Sequence, residues 1–204
     1  KNLPLIPHIE IGPLGAATLT EIGFERFQSI LKAGRKHYGR LALIFGDFIS
    51  RRWLARSKSP YDAEIASISS HTGVPGVFLL NLSYEWSCTS SVASDPCDIG
   101  NRMLRTLDWP LEGLGRNVVV AKMEGAAGVY QNITWPGFAG VVTAMAPGRF
   151  SAAINQPPMR RWTISPLLDW IINRYRLWRT RSIPPVHLLR RVFDECSNYE
   201  EAKK

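Results

Sequence analysis

The sequence predicts an α+β fold in which helical segments precede and follow a largely antiparallel sheet. Apolar residues recur at helical spacing in the first part of the chain, and from Cys88 this pattern gives way to short β-prone runs separated by glycine and proline turns. A helical pattern returns near Leu167. Helices, strands and helices in this order are typical of a layered domain with one core.

The first part of the chain predicts a helical segment over residues 1–87. Thr18 and Glu21 form a capping-box pattern ahead of an apolar stripe. Further along, Ser59 precedes Pro60, a pair that commonly starts a helix because proline fits the first helical turn. The apolar positions that recur at helical spacing are Ile22, Phe27, Ile30, Leu31, Leu41, Ile44, Phe45, Phe48 and Ile49.

The middle of the chain predicts a series of short strands, each bounded by glycine or proline. These strands are expected at residues 89–93, 103–109, 118–121, 128–135, 140–144 and 149–154.

Three helices are expected after the strands. The first carries an apolar face, the second covers residues 185–196, and the third is announced by the capping box of Ser197 and Glu200. The apolar face of the first helix comprises Leu167, Leu168, Ile171, Ile172, Tyr175 and Trp178.

The composition favours some function classes over others. The chain has 25 Lys and Arg against 17 Asp and Glu, a formal net charge of +8, and eight arginines fall between residues 160 and 191. Such a cluster suits nucleic acid or an anionic membrane surface, but a solvated helix face is the favoured interpretation because no nucleic-acid motif accompanies it. We therefore expect no nucleic-acid partner, while contact with a membrane surface stays open.

Cysteine usage and the absence of targeting signals favour a cytoplasmic location. The three cysteines are odd in number and too few for a disulfide framework. The longest uncharged stretch, residues 125–148, is broken by glycine and proline and predicts strands rather than a membrane helix. No secretory leader is visible at the start. The four histidines and the cysteines show no metal-ligand spacing, so neither a metal nor a cofactor is expected.

Cys88 lies in the most distinctive segment, NLSYEWSCTSSVA. A cysteine taken alone is most often a buried structural thiol. Four further segments follow in order: RTLDW, WPGFAGVVTAMAPGRFSAAINQ, LLDWIINR and SNYEEAKK. Together they resemble the acid ceramidase and N-acylethanolamine-hydrolysing acid amidase branch of the choloylglycine-hydrolase family, which are N-terminal-nucleophile hydrolases. The resemblance runs from about Asp62 to the end of the sequence.

This resemblance implies an αββα sandwich preceded by an N-terminal helical segment. It also implies cleavage between Ser87 and Cys88, so that residues 1–87 and 88–204 become two associated fragments. Cys88 would then be the nucleophile and its freed α-amine the base. Arg105 would fix the thiolate, and Asp108 would hold the amine.

Asn155 completes the implied site, because its side-chain amide would bind the oxyanion. Taken in isolation, Arg105 and Asp108 at this spacing are more often a surface ion pair of little consequence. For Asn155, a role as a turn residue ahead of Pro157 and Pro158 is an equal alternative. Gln156 stands where the family has an acidic residue. The family places another Asn and an Arg further downstream, so we expect the 204 residues to be the front part of a longer enzyme.

The sequence thus predicts a self-processing cysteine amidase that hydrolyses the linear amide bond of an N-acyl substrate, with a fatty or otherwise apolar acyl group. One alternative is an inactive or unprocessed relative. A further alternative is a basic protein that binds membranes or nucleic acid. The aromatic residues that either line an acyl pocket or simply fill the core are Trp86, Trp109, Trp135, Phe138 and Trp162.

Overall fold

The computed structural model describes residues 5–97 and 99–204. Within them the fold is mixed α+β, with eight α-helices, a five-stranded sheet and a separate two-stranded hairpin. In chain order the elements are β1 (His8–Gly12), α1 (Gly15–Ile22), α2 (Phe24–Tyr38), α3 (Arg40–Ser57), α4 (Asp62–Thr72), α5 (Val77–Leu82), β2 (Ser87–Ser94), β3 (Asn101–Asp108), β4 (Val119–Gly125), β5 (Gly128–Thr134), β6 (Thr143–Ala146), β7 (Phe150–Ala153), α6 (Pro166–Arg179), α7 (Pro185–Glu195) and α8 (Tyr199–Lys203).

The five-stranded sheet has the strand order β1-β4-β5-β6-β7. Strands β4 to β7 pair antiparallel, as the sequence predicts, whereas β1 lies parallel to β4 with His8 opposite Val120. No strand is predicted at β1 from the sequence. In the structure, the side chains of β1 alternate between its two faces and Ile11 enters the core, where it is 4% exposed. The region before Cys88 is therefore not purely helical.

The hairpin of β2 and β3 carries the segment around Cys88. Its register places Cys88 opposite Leu107 and Ser90 opposite Arg105. Directly opposed residues, and residues two apart on one strand, share a face of an antiparallel pair. The side chains of these four residues therefore lie on one face of the hairpin.

Several predicted boundaries are wrong by a few residues. Thr18 does not cap a helix but lies inside α1. Helix α4 begins at Asp62 rather than at Ser59. The C-terminal capping box is displaced by one residue, because the side chain of Asn198, not of Ser197, accepts from the backbone N–H of Glu201, at 3.0 Å.

Strand β6 also starts later than the predicted range of residues 140–144. The backbone N–H of Val141 donates to the carbonyl of Val186 at 3.0 Å, so this stretch bonds to the start of α7 before the ladder with β5 begins. The short helix α5, which leads towards Cys88, was not expected from the sequence.

The larger of two hydrophobic clusters joins the helices before Cys88 to the segments after it. Four aromatic rings pack one against the next within it, in tilted or edge-on contact and with successive centroids 4.6–5.8 Å apart. They belong to Trp86, Trp109, Trp135 and Phe138. All four are buried, and they fill the core. Trp162, the fifth aromatic side chain considered for an acyl pocket, is 39% exposed and lies outside this cluster.

Polar contacts also cross the Ser87–Cys88 bond. The side-chain amide of Asn81 donates to the carbonyl of Gly137 at 2.8 Å and accepts from the N–H of Ala139 at 2.8 Å. The Tyr61 hydroxyl donates to Asp194 at 2.7 Å. Residues 1–87 and 88–204 are therefore held by hydrogen bonds as well as by apolar packing.

Candidate active site around Cys88

Cys88 is the second residue of β2 and is partly buried. Its side chain packs on the edge of the hydrophobic cluster together with Leu107 and Ile154. This placement gives the thiol an apolar floor and leaves one side open to solvent. A thiol in such a position is accessible enough to react, unlike a fully buried structural cysteine.

Arg105 is the residue in direct contact with the thiol. Its Nη2 donates to Sγ of Cys88 at 2.9 Å and to the carbonyl oxygen of Ile154 at 2.9 Å. Burial lowers the pKa of the Arg105 guanidinium from its ordinary value, while Cys88 and Asp108 act in the opposite direction. Since arginine stays cationic in proteins, the contact is a charge-assisted hydrogen bond to the sulfur.

Asn155 lies on the same side of the hairpin. Its Nδ2 donates to Oγ of Ser90 at 2.5 Å, and Ser90 shares a strand face with Cys88. The side-chain amide has two N–H groups, so a second donor is free of protein contacts within the described residues. Gln156 follows directly and is half-buried.

Asp108 is close to Arg105 but is not in contact with the thiol. It lies at the end of β3 opposite Ser87, so its side chain is on the other face of the hairpin from Cys88. Within the described residues it makes no side-chain hydrogen bond to Cys88. Its position is next to the Ser87–Cys88 peptide bond, whose nitrogen would become the α-amine on cleavage.

The segment that leads into Cys88 is held tightly. Tyr84 has a backbone φ of 50°, a conformation that costs energy for a bulky side chain, and it is buried. Glu85 pairs with Arg174 of α6 at 3.0 Å, with both side chains mostly buried. Burial and the charge of Glu85 raise the pKa of Tyr38 to about 12. The loop before Cys88 is therefore held by α2, which precedes it in the sequence, and by α6, which follows it.

An apolar groove of about 400 Å³ lies between β7, α7 and α8. Ile154 connects the groove to the site, because its carbonyl accepts from Arg105 while its side chain contributes to the groove wall. Leu188 and Tyr199 contribute to the opposite wall and are partly exposed.

The sequence identified Cys88, Arg105 and Asn155, which the structure brings together, and Asp108, which it places nearby. It did not identify Ser90 or the Glu85–Arg174 pair. Ser90 was detectable, since a residue two positions from a nucleophile on a strand shares its face. The Glu85–Arg174 pair joins residues far apart in the sequence, and no local pattern signals such a contact.

In the described part of the chain, no group of three or more His, Cys, Asp and Glu side chains is placed to hold a metal ion. None of the helices formed by residues 5–97 and 99–204 combines the length and apolarity needed to cross a bilayer.

Comparison with known proteins gives one similarity. No protein-family model matches the sequence. An uncharacterized protein of Acanthamoeba polyphaga mimivirus is 35% identical over 88 residues, which cover 40% of this chain. The matched region spans only 26% of the viral protein's length. This similarity assigns no activity to the chain.

Proposed function

We propose that the chain is a self-processing cysteine amidase of the N-terminal-nucleophile type. Its substrate would be the linear amide of an apolar acyl group. The observation that carries this proposal is the 2.9 Å hydrogen bond from Arg105 to Sγ of Cys88, on a strand whose preceding loop is strained and clamped. A structural cysteine has no need of a cationic donor of this kind.

Self-cleavage would begin with attack of the Cys88 thiolate on the carbonyl carbon of Ser87. The C–N bond breaks, a thioester forms, and the proton given up by the thiol passes to the nitrogen, which becomes the α-amine of Cys88. Water then hydrolyses the thioester, which releases the Ser87 carboxylate and restores the thiol.

Amide hydrolysis would use the same atoms. The freed α-amine takes the thiol proton, Sγ attacks the substrate carbonyl, and the amine passes the proton to the leaving group. Asn155 would donate its second amide N–H to the oxyanion, and Asp108 would orient the α-amine. Water then releases the acid from the thioester. The groove reached through Ile154 supports an apolar acyl group.

The two fragments would stay associated after cleavage. Their shared hydrophobic cluster and the hydrogen bonds of Asn81, Tyr61 and Glu85 do not depend on the Ser87–Cys88 bond. Co-elution of both fragments in size-exclusion chromatography is the expected result.

The test is intact-mass spectrometry of the purified protein, followed by assay with N-acyl amides of different acyl length. We expect a fragment that begins at Cys88 and turnover that depends on it. Cys88→Ala should abolish both, while Cys196→Ala, a partly buried cysteine outside the site, should change neither. Cleavage and turnover that persist in Cys88→Ala would overturn the proposal.

A further inference from the structure

The thiol of Cys88 and the side-chain amide of Asn155 lie on two different sheets. Cys88 belongs to the hairpin of β2 and β3, whereas Asn155 follows β7 at the edge of the five-stranded sheet. Within residues 5–97 and 99–204, no backbone ladder joins the hairpin to this sheet. The position of the thiol relative to the amide therefore depends on contacts made by side chains.

Two hydrogen bonds connect the hairpin to the segment that follows β7. Nη2 of Arg105 donates to the carbonyl oxygen of Ile154 at 2.9 Å, and Nδ2 of Asn155 donates to Oγ of Ser90 at 2.5 Å. On its other side, the backbone N–H of Ile154 donates to the carbonyl of Val142 at 2.9 Å. The backbone of Ile154 is thus held from both sides, while the side chain of Asn155 is held by Ser90.

Ser90 is placed by the strand that carries Cys88. It lies two residues after Cys88 on β2 and opposite Arg105 on β3, so the three side chains share one face of the hairpin. A rise of about 3.3 Å per residue separates the Cα atoms of Cys88 and Ser90 by about 6.6 Å. A side-chain amide that is bonded to Ser90 is therefore kept beside the thiol.

The side chain of Asn155 needs such a partner to adopt one orientation. The χ2 torsion of asparagine is broad, so rotamer preference alone does not set the plane of its amide. The bond to Ser90 takes up one N–H and fixes this plane, and the second N–H then has a defined direction. This matters for catalysis because an oxyanion donor is effective when it is already in place as charge develops.

We propose that Ser90 is a positioning residue that holds the Asn155 amide for oxyanion binding. This inference rests on the proposed amidase function. Ser90 acts through Asn155 and takes no part in proton transfer or in bond formation at Sγ. Both side chains are exposed, so water replaces the lost partner in a variant and the folded state loses little stability. We therefore expect the effect of Ser90 on kcat rather than on unfolding.

The first test compares the turnover of N-acyl amides by the whole protein and its variants. Ser90→Ala should lower kcat about tenfold and leave KM within about twofold, because the amide loses its orientation while substrate binding does not depend on it. Ser90→Thr keeps the hydroxyl, so its kcat should remain close to that of the unmodified protein. Ser91→Ala is the matched control, because it removes the same hydroxyl from the opposite face of β2, and it should leave kcat unchanged.

The second test asks whether Ser90 acts through Asn155. In a protein that carries Asn155→Ala, the additional change Ser90→Ala should cause no further loss of kcat, because the two residues act as a unit. All variants should keep the same thermal unfolding midpoint. An unchanged kcat in Ser90→Ala, a loss that adds to that of Asn155→Ala, or a Ser90→Thr variant as slow as Ser90→Ala would each overturn the proposal.

Nitrogen-15 NMR of the labelled protein tests the contact without turnover. The side-chain amide signal of Asn155, identified by its loss in Asn155→Ala, should shift in Ser90→Ala and not in Ser91→Ala. A signal that does not move in Ser90→Ala would overturn the contact. If the unmodified protein hydrolyses no N-acyl amide, the proposed function fails and the role of Ser90 fails with it. Turnover that Ser90→Ala leaves unaffected would overturn the role of Ser90 alone.

Discussion

Replacement of Arg105 by Met tests whether this residue activates Cys88. The hydrogen bond from Nη2 to Sγ is charge-assisted, and such bonds are worth about 1.5–3 kcal/mol. Both side chains are partly exposed, so solvent screening places the contribution of this hydrogen bond at the lower end, about 1.5 kcal/mol.

The expectation is that iodoacetamide alkylates Cys88 up to about tenfold more slowly in the Arg105→Met variant, because the charge-assisted hydrogen bond to Sγ is lost. The assay is time-resolved alkylation of the purified protein with peptide mass spectrometry, in which Cys97 and Cys196 serve as internal references. Arg102→Met is the matched control, since Arg102 is on the same strand but pairs with Asp95 in the hairpin turn. An unchanged or faster reaction of Cys88 in Arg105→Met would refute the assigned contact.

Four further changes have defined outcomes. Burial, followed by the charge of Arg190, lowers the pKa of His187 to about 3, whereas the unfolded chain titrates near 6.5. As the pH falls, the unfolded state therefore takes up the proton before the folded state does. The free energy of unfolding, measured with urea, should fall by about 2 kcal/mol from pH 7 to pH 5, and this loss should be absent in His187→Asn. Arg174→Met leaves the Glu85 carboxylate unpaired, so it should lower the free energy of unfolding by about 3 kcal/mol. It should also slow self-cleavage, and both effects are measured on protein in which Cys88 is retained. Asn155→Ala should lower kcat about 100-fold or more with little change in KM, and an effect on KM alone would argue against oxyanion binding. Leu188→Asp should raise KM for long-chain amides and spare short-chain ones, a difference that competition between two substrates reveals.

The antiparallel pairing of β4 to β7, the strand that starts next to Cys88 and the strand that carries Arg105 were accessible from the sequence. Strand periodicity and turn residues are local signals, and they fix which residues can be opposed. The residues at which helices and strands begin and end were less accessible from the sequence. Asn198 rather than Ser197 caps α8, because both are good capping residues and only the backbone path decides between them.

The orientation of α6 shows what local patterns miss. An apolar stripe at helical spacing predicts burial, yet here the buried side is set by Asp169 and by the pair of Arg174 with Glu85. The apolar face of α6 is exposed, with Leu167 67% exposed. Asp169 binds the N–H groups of Trp162 and Thr163 just before the helix, whereas the Arg174–Glu85 pair joins distant parts of the chain. For the same reason β1 was missed, since its strand identity depends on pairing with β4.

The central claim is that Cys88 becomes the amino terminus of a catalytic fragment. Determination of the intact mass and of the amino-terminal residue of the purified protein tests it most directly. The account predicts two co-purifying fragments, one ending at Ser87 and one starting at Cys88, and a single chain in Cys88→Ala. A single unbroken chain that hydrolyses N-acyl amides, or cleavage at another bond, would contradict it.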